Sequence, residues 1–299
     1  MLQLISKVQY NNFEAGEFVD IKERNYEETI TLIEGFPWNK QRENFSVSLT
    51  NPSITIEGTN SDYLKIALYY NGKYVIYYLE DNGSLFTKSF ERLESIYEYI
   101  KVFFEKNNVE TTGFKKTTNS LSKIIIYFRT QDFVYTFSYN NRFKLFSYFY
   151  MFIVGILTLF IIQAPNNIDN LHLRIFFKLF FISSAVFFIG YPILTLYNHY
   201  IYSKNKILII SKANPIFYFG DLDNPKAYNK KDIVQIFSNN RYRDNGTKLR
   251  IEFNNNEIIE FSLLLLAPVD LEYTKFPECS IIKKYMHPFL KWTLPKSSQ

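Results

Sequence analysis

Eight basic side chains in the second half of the chain are the residues best suited to surface chemistry. They are Lys204, Lys206, Lys230, Lys231, Arg241, Arg243, Lys248 and Arg250. Held beside an anionic membrane leaflet, each would contribute on the order of 1 kcal/mol of attraction, so several together would orient the segment on a membrane. Asp232, Asp244 and Glu252 are interspersed among them. The set therefore indicates a lipid-facing basic patch, with an ordinary solvated surface as the favoured alternative.

A tyrosine-rich strand pair offers a second surface. The segments YLKIALYY and KYVIYYLE are joined by Asn71-Gly72, which suits a two-residue type I′ turn because both turn positions need a positive φ. Counting outward from the turn gives three core-facing pairs: Leu68 with Val75, Ile66 with Tyr77 and Leu64 with Leu79. That register leaves four side chains on the opposite face: Lys65, Tyr69, Tyr74 and Tyr78. Because tyrosine is enriched at interfaces, this face is a candidate partner patch. Packing under a neighbouring strand or helix is the alternative.

No spacing in the chain is typical of an active site. The histidines His172, His199 and His287 are far apart, and the ten glycines form no phosphate-binding loop. Neither HExxH nor GxSxG occurs. Cys279 is the single cysteine, which excludes an intramolecular disulfide and a cysteine metal cluster. We predict a non-enzymatic protein without cofactor or metal, and a catalytic set dispersed along the chain is the open alternative.

Two long apolar runs are the elements that would position the basic and tyrosine-rich segments relative to a membrane. Residues Leu145 to Leu196 contain LFSYFYMFIVGILTLFIIQA and IFFKLFFISSAVFFIGYPILTL. Because about 20 apolar residues span the ~30 Å hydrocarbon core of a bilayer, the runs predict a transmembrane helical hairpin. Two buried helices in a soluble core are the alternative. The basic residues that flank the runs are Arg142, Lys144, Lys204 and Lys206. They favour cytoplasmic termini, and His199 is predicted to lie at the membrane interface.

The first 108 residues indicate a compact α+β domain. Asn25 with Glu28 predicts a capped helix start, and Gly35 followed by Pro37 predicts the end of that helix. The segment SFERLESIYEYIKVFF has apolar residues at helical spacing and predicts a second helix over the sheet. Residues 109–120 are polar and rich in Thr, Asn and Lys, so they predict a linker.

Short strands flank the apolar runs on both sides. LSKIIIYFR and FVYTFSY precede the runs, and KILIIS, IFYFG, DIVQIFS, TKLRIEF and EIIEFS follow them. A helix is predicted around Cys279 to His287. Seven strands and a terminal helix match a pleckstrin-homology-like (PH-like) roll over residues 121–144 and 204–292, interrupted by the hairpin 145–196. The segment Leu121 to Tyr139 should then pair with strands beyond Lys204.

Two resemblances accompany this pattern. KILIISKANPIFYFGDLDNPKAYNKKDIVQIFSNN and LRIEFNNNEIIEFSLLLLAP resemble segments of bacterial membrane proteins with a PH-like domain, including the YcxB-like architecture. That resemblance covers residues 121–292 and implies a binding or scaffolding platform with no catalytic residue. IEGFPWNKQR, VSLTNPSITIEG and DYLKIALYYNGKYVIYYLED resemble immunity-type α+β domains of Bacteroidetes polymorphic-toxin systems.

The chain is therefore predicted to be an α+β membrane protein that acts by recognition. The leading hypothesis is an immunity protein that binds and neutralises a toxin at the bacterial inner membrane, with both termini cytoplasmic. The alternative is a PH-like lipid-binding or scaffolding protein. A net charge of +5 with alternating signs does not indicate nucleic acid. Small residues such as Gly155 and Gly190 would permit close helix packing, which leaves a homo-oligomer open.

Overall fold

The computed structural model divides the chain into two compact units. The first comprises Met1–Asp132 and Ser211–Ala213, and the second comprises Phe133–Ile210 and Asn214–Gln299. The structure describes residues 2–43, 48–118, 121–137, 168–185, 190–238, 248–262 and 279–283, together with 149, 151–156, 158–159, 163, 265, 275–276 and 290. The first unit thus extends to Asp132, beyond the predicted linker 109–120.

The first unit is built on an antiparallel sheet of seven strands. They are β1 (Leu4–Gln9), β2 (Val19–Arg24), β3 (Ser53–Glu57), β4 (Tyr63–Leu68), β5 (Tyr74–Leu79), β6 (Ser84–Phe90) and β7 (Lys115–Thr118). Their order across the sheet is β2-β1-β3-β4-β5-β6-β7. Strand β7 lies inside the predicted linker and pairs with β6. Every residue of β4 is buried, so both faces of the sheet are covered.

Helices cover one face of this sheet. They are α1 (Tyr26–Gly35), α2 (Trp38–Gln41) and α3 (Tyr97–Lys106). The backbone N–H of Glu28 donates to Asn25 Oδ1 at 2.9 Å, and the N–H of Asn25 donates to Glu28 Oε2 at 3.0 Å. This capping box confirms the predicted start of α1. Ile33 of α1 and Phe103 of α3 pack with Ile66 of the sheet in one core.

The β4–β5 hairpin has the predicted turn and a different register. Asn71 and Gly72 have φ values of 53° and 79°, as a type I′ turn requires. The backbone N–H of Tyr69 nevertheless donates to the carbonyl oxygen of Lys73 at 2.9 Å. Tyr70 is therefore an additional residue on one side of the turn, as in a β-bulge. The predicted register is wrong by one residue.

This shift exchanges the two faces of β5. The observed pairs include Leu68 with Tyr74, Ile66 with Ile76 and Leu64 with Tyr78. Successive side chains of a strand point to opposite faces, so a shift of one residue moves every β5 side chain across the sheet. Tyr74 and Tyr78 therefore face the helices. Tyr77 lies directly opposite Lys65 on the other face.

That other face is covered by residues 123–130, which we call the strap. The strap begins in α4 (Leu121–Ile124) and continues as a 3₁₀ helix, Ile125–Tyr127. Ile124 and Phe128 are buried against Tyr63 and Leu79 of the sheet. The strand predicted for LSKIIIYFR is therefore wrong, because its apolar residues cover a sheet face as a helical turn. This packing explains why the first unit includes residues that were predicted to belong to the second domain.

The described residues of the second unit form two four-stranded sheets. One has the order β11-β10-β9-β8 and is formed by β8 (Val134–Thr136), β9 (Lys206–Ile209), β10 (Ile216–Asp221) and β11 (Asn224–Asn229). The other has the order β14-β13-β12-β15 and is formed by β12 (Ile233–Ser238), β13 (Lys248–Phe253), β14 (Ile258–Ser262) and β15 (Ile281–Lys283). Leu208, Phe217 and Phe261 lie in a core shared by the two sheets.

The structure confirms one feature predicted for the second unit and differs from the prediction in two others. Pairing across the apolar runs is confirmed for β8 with β9, where Val134 lies opposite Ile209. Strand β11 was missed because Asn224-Pro225 was interpreted as a turn; β11 is an edge strand, which tolerates a proline. The predicted terminal helix is wrong at Ile281–Lys283, which form a strand parallel to β12. Residues 284–287 of that prediction lie outside the described residues.

Between β8 and β9 the described chain contains α5 (Leu171–Ala185) and α6 (Tyr191–Ser203). No helix among the described residues combines the length and the hydropathy needed to cross a membrane. The predicted transmembrane hairpin 145–196 is therefore not found in that part of the chain. Half of its first run, residues 145–164, lies outside the described residues.

Candidate functional site

The four residues of the predicted partner patch lie on two different faces of the first sheet. Lys65 is 0% exposed on the strap side, and Tyr78 is 2% exposed on the helix side. The hydroxyl of Tyr78 donates to Asn108 Oδ1 at 3.1 Å. Tyr69 and Tyr74 are half-buried. The one-residue register shift thus separates side chains that were predicted to share one exposed surface.

Lys65 instead has an enclosed polar environment. Its Nζ donates to three uncharged oxygens: Gln9 Oε1 at 2.8 Å, the Leu49 carbonyl at 2.6 Å and the Tyr127 carbonyl at 3.0 Å. The rings of Phe18 and Phe128 each lie 5.6 Å from this nitrogen. Burial, with a further contribution from the charge of Lys7, lowers the pKa of Lys65 to about 7. The interaction with Tyr127 ties this lysine directly to the strap.

Lys7 of β1 is a second buried lysine on the same face. Its Nζ lies 3.3 Å from Glu57 Oε2 and 3.5 Å from Thr130 Oγ1 of the strap. Burial lowers the pKa of Lys7, and the nearby Glu57 carboxylate opposes that change. Sequence reasoning missed this pair. The available signal was a lysine within each of the apolar strands LISKVQ and YLKIAL. The prediction treated the face of β4 that carries Lys65 as exposed, because it did not place the strap over that face.

Three residues of the predicted basic patch form ion pairs with acidic side chains of the second unit. The pairs are Lys206 with Asp221 at 2.9 Å, Lys248 with Glu260 at 3.1 Å and Arg250 with Glu252 at 2.7 Å. Lys248 and Glu260 are both buried. The side chain of Lys248 is therefore not available to a lipid surface, which corrects that part of the predicted patch.

The remaining basic residues are differently placed. Lys204 follows α6 and is exposed, as is Lys231. Lys230 Nζ lies 5.9 Å from the centre of the Phe276 ring. Arg241 and Arg243 lie outside the described residues. Among the described residues, the basic side chains thus form ion pairs, contact an aromatic ring or lie exposed to solvent. The acidic residues interspersed in the sequence had indicated such pairing.

A family model described as a PH domain matches residues 134–273. The matched range begins at the first residue of β8 and includes β9 to β14. Residues 134–273 form a PH domain. No curated protein and no solved structure matched the chain.

The PH domain contains the apolar helical segment between its first two strands. On α5, Leu171 is 60% exposed, and Phe176 and Leu179 are each 62% exposed. Arg174 and Lys178 are four residues apart and therefore lie on one side of the helix. Leu and Phe side chains occupy most of the remaining circumference. Helix α5 is therefore apolar around most of its surface, with one basic side.

Helix α6 is joined to β14 by two polar contacts. His199 Nδ1 lies 2.8 Å from Ser262 Oγ, and the hydroxyl of Tyr202 donates to the Glu260 carbonyl at 2.7 Å. His199 is 0% exposed, so the prediction that it lies at a membrane interface is wrong. No three His, Cys, Asp or Glu side chains among the described residues are grouped to hold a metal ion.

Proposed function

We propose that this protein is a non-enzymatic recognition protein that works at a membrane, where its helical insertion attaches the PH domain to the lipid surface. The exposed apolar surface of α5 is the observation that carries the proposal. Transfer of a Leu or Phe side chain from water into an apolar environment gains about 1.5–3 kcal/mol. Several such side chains on one helix are sufficient for reversible attachment.

The arrangement of charges on α5 supports a position along the membrane surface. Arg174 and Lys178 lie on the side that would meet lipid headgroups, while Phe176, Leu179 and Phe180 lie where they would enter the acyl region. The guanidinium of Arg174 also donates to the Ile168 carbonyl at 3.0 Å, which fixes the start of the helix. A helix in this orientation attaches the protein without crossing the bilayer.

Vesicle flotation of the full chain tests this proposal. The double variant Phe176→Glu, Leu179→Glu should reduce co-flotation with phosphatidylcholine vesicles by more than about tenfold, because each carboxylate would have to leave water. Val234→Glu is the matched control, because Val234 is an equally exposed apolar residue, 66% exposed, outside the insertion. Equal binding by both variants, or equal loss in both, would contradict a role for α5.

Recognition of anionic headgroups by the basic patch is the second candidate. Exposed Lys204 and Lys231 favour it, whereas the ion pairs of Lys206 and Arg250 oppose it. Charge reversal at Lys230, Lys231, Arg241 and Arg243 in the full chain measures this contribution. Selective loss of binding to phosphatidylglycerol-containing vesicles would assign lipid recognition to these residues; unchanged binding would remove the proposal.

We further propose that the partner of the first unit is a toxin, which the protein neutralises at the bacterial inner membrane. Its support is the resemblance of the N-terminal segments to immunity-type domains. Co-expression with candidate toxins from adjacent reading frames tests it. Protection together with co-purification is the expected result, and the absence of both for every candidate would remove the hypothesis.

A further inference from the structure

The sheet β11-β10-β9-β8 has one face in the core of the second unit and one face turned outward. Leu208, Phe217 and Phe219 are buried in that core. Because successive side chains of a strand alternate between the two faces, the strand pairings define the outward residues. We call them the outer face: Val134, Thr136, Ile207, Ile209, Ile216, Tyr218, Gly220, Pro225, Ala227 and Asn229. None of these described residues is charged.

The outer face is largely apolar and open to solvent. Tyr218 lies near its centre, opposite Ala227 of β11 on one side and Ile209 of β9 on the other. Val134, Ile216 and Tyr218 are 46%, 42% and 38% exposed. An antiparallel sheet with one face in water normally carries polar residues on that face. A contiguous exposed apolar face is instead typical of a surface that binds another macromolecule.

The other sheet of the same unit shows the opposite distribution. Its outward residues include Arg250 and Glu260, which lie opposite each other on β13 and β14. Helix α6 contacts this polar face, where His199 lies 2.8 Å from Ser262 Oγ and Tyr202 donates to the Glu260 carbonyl. The chain thus covers the polar sheet face with its own helix, whereas the apolar outer face is exposed.

We propose that the outer face binds the same face of a second copy of this chain, so that two PH domains form a two-fold dimer. A two-fold interface brings one patch against itself, so a charged patch would meet its own sign. The outer face avoids this repulsion because it is uncharged, and its closure leaves no charge buried without a partner. Tyr218 provides an aromatic side chain of the kind that is enriched at the centre of interfaces.

The size of the outer face predicts a weak dimer. Its four strands lie about 4.8 Å apart and each contributes two or three outward residues, so its area is well below the ~800 Å² per partner of a standard interface. We therefore expect reversible association that depends on protein concentration.

Sedimentation equilibrium of the full chain measures this association. The mass of the wild type should approach that of two chains as its concentration rises. Tyr218→Glu should weaken association by more than about tenfold, because each copy would have to bury a carboxylate. Val234→Glu is the matched control, because Val234 is 66% exposed on β12, outside the outer face. This control should associate as the wild type does.

A mixture of two variants tests whether the outer face meets itself. Tyr218→Glu and Tyr218→Lys should each remain monomeric, and an equimolar mixture of the two should dimerise, because opposite charges then meet across the interface. If circular dichroism shows that either variant is unfolded, Ala227→Glu and Ala227→Lys replace the pair, since Ala227 is exposed on an edge strand.

Three results would overturn the dimer. They are a wild-type mass of one chain at every concentration, association of Tyr218→Glu equal to that of the wild type, and a mixture of the two variants that stays monomeric. A monomeric wild type that binds vesicles, with loss of that binding in Tyr218→Glu, would assign the outer face to lipid instead.

Discussion

Lys65 and Lys248 are both buried lysines, and each unit of the molecule accommodates its lysine differently. Lys65 donates to three uncharged oxygens and has a pKa lowered to about 7. Lys248 lies 3.1 Å from the Glu260 carboxylate, which is buried with it. The first arrangement surrounds the amine with neutral dipoles and lowers its pKa, and the second offsets burial by pairing opposite charges. The two sites should therefore respond differently when the amine is removed.

The largest expected effect is that of Lys248→Met. This change leaves the Glu260 carboxylate buried without the ammonium that faces it, and breaking a buried pair in this way costs about 3–5 kcal/mol. Denaturant titration of the full chain, followed by exchange of the β13 amides, measures the loss. Lys226→Met is the control, because the side chain of Lys226 is 60% exposed in its pair with Glu257. A loss no larger than that of the control would contradict the difference expected between Lys248 and Lys65.

Lys65→Met should have a smaller effect. It leaves only uncharged acceptors, so the expected loss is about 1–2 kcal/mol at pH 7, offset in part because no charge has to be buried. Exchange of the β4 and β5 amides in the same titration measures it. A loss as large as that of Lys248→Met would contradict the smaller effect expected when only uncharged acceptors are left behind.

The smallest effect is expected at the exposed lysines of the PH domain. The double variant Lys204→Gln, Lys231→Gln should change the free energy of unfolding by less than about 0.5 kcal/mol, because both side chains are exposed to solvent. Thermal unfolding of the full chain at low and high salt measures the change. A salt-dependent loss above 1 kcal/mol would mean that surface charge stabilises this unit as strongly as its buried pair.

Local signals in the sequence predicted local structure correctly. Asn25 and Glu28 indicated a helix start, and Asn71-Gly72 indicated a turn with two positive φ values; both are confirmed. The side of the sheet that each β5 residue faces could not be derived from the turn, because a single extra residue, Tyr70, reverses it. Pairing between β8 and β9 was predicted from the number of strands on each side of the apolar runs, which is a non-local property.

The candidate sites were less predictable than the fold. LSKIIIYFR has the β-branched composition of a strand, and only the presence of an uncovered sheet face makes it a strap. The eight basic residues are close in sequence, yet two of their three described ion pairs depend on which acidic side chains the neighbouring strand provides. Lys248 meets Glu260 because β13 and β14 are neighbours. Such cross-strand neighbours are set by register, which composition does not encode.

The pairing of β8 with β9 places both ends of a long excursion of the chain at one point of the sheet. Thr136 and Ile207 lie opposite each other, so the long excursion between them begins and ends at adjacent strands, about 5 Å apart. Doubling the length of such an excursion costs only about 0.6 kcal/mol in closure entropy. The β8–β9 pairing therefore sets where the excursion leaves and rejoins the sheet, and its length contributes little to the cost of closing it. We expect an excursion of different length to be accommodated at the same place, with the two strands still paired.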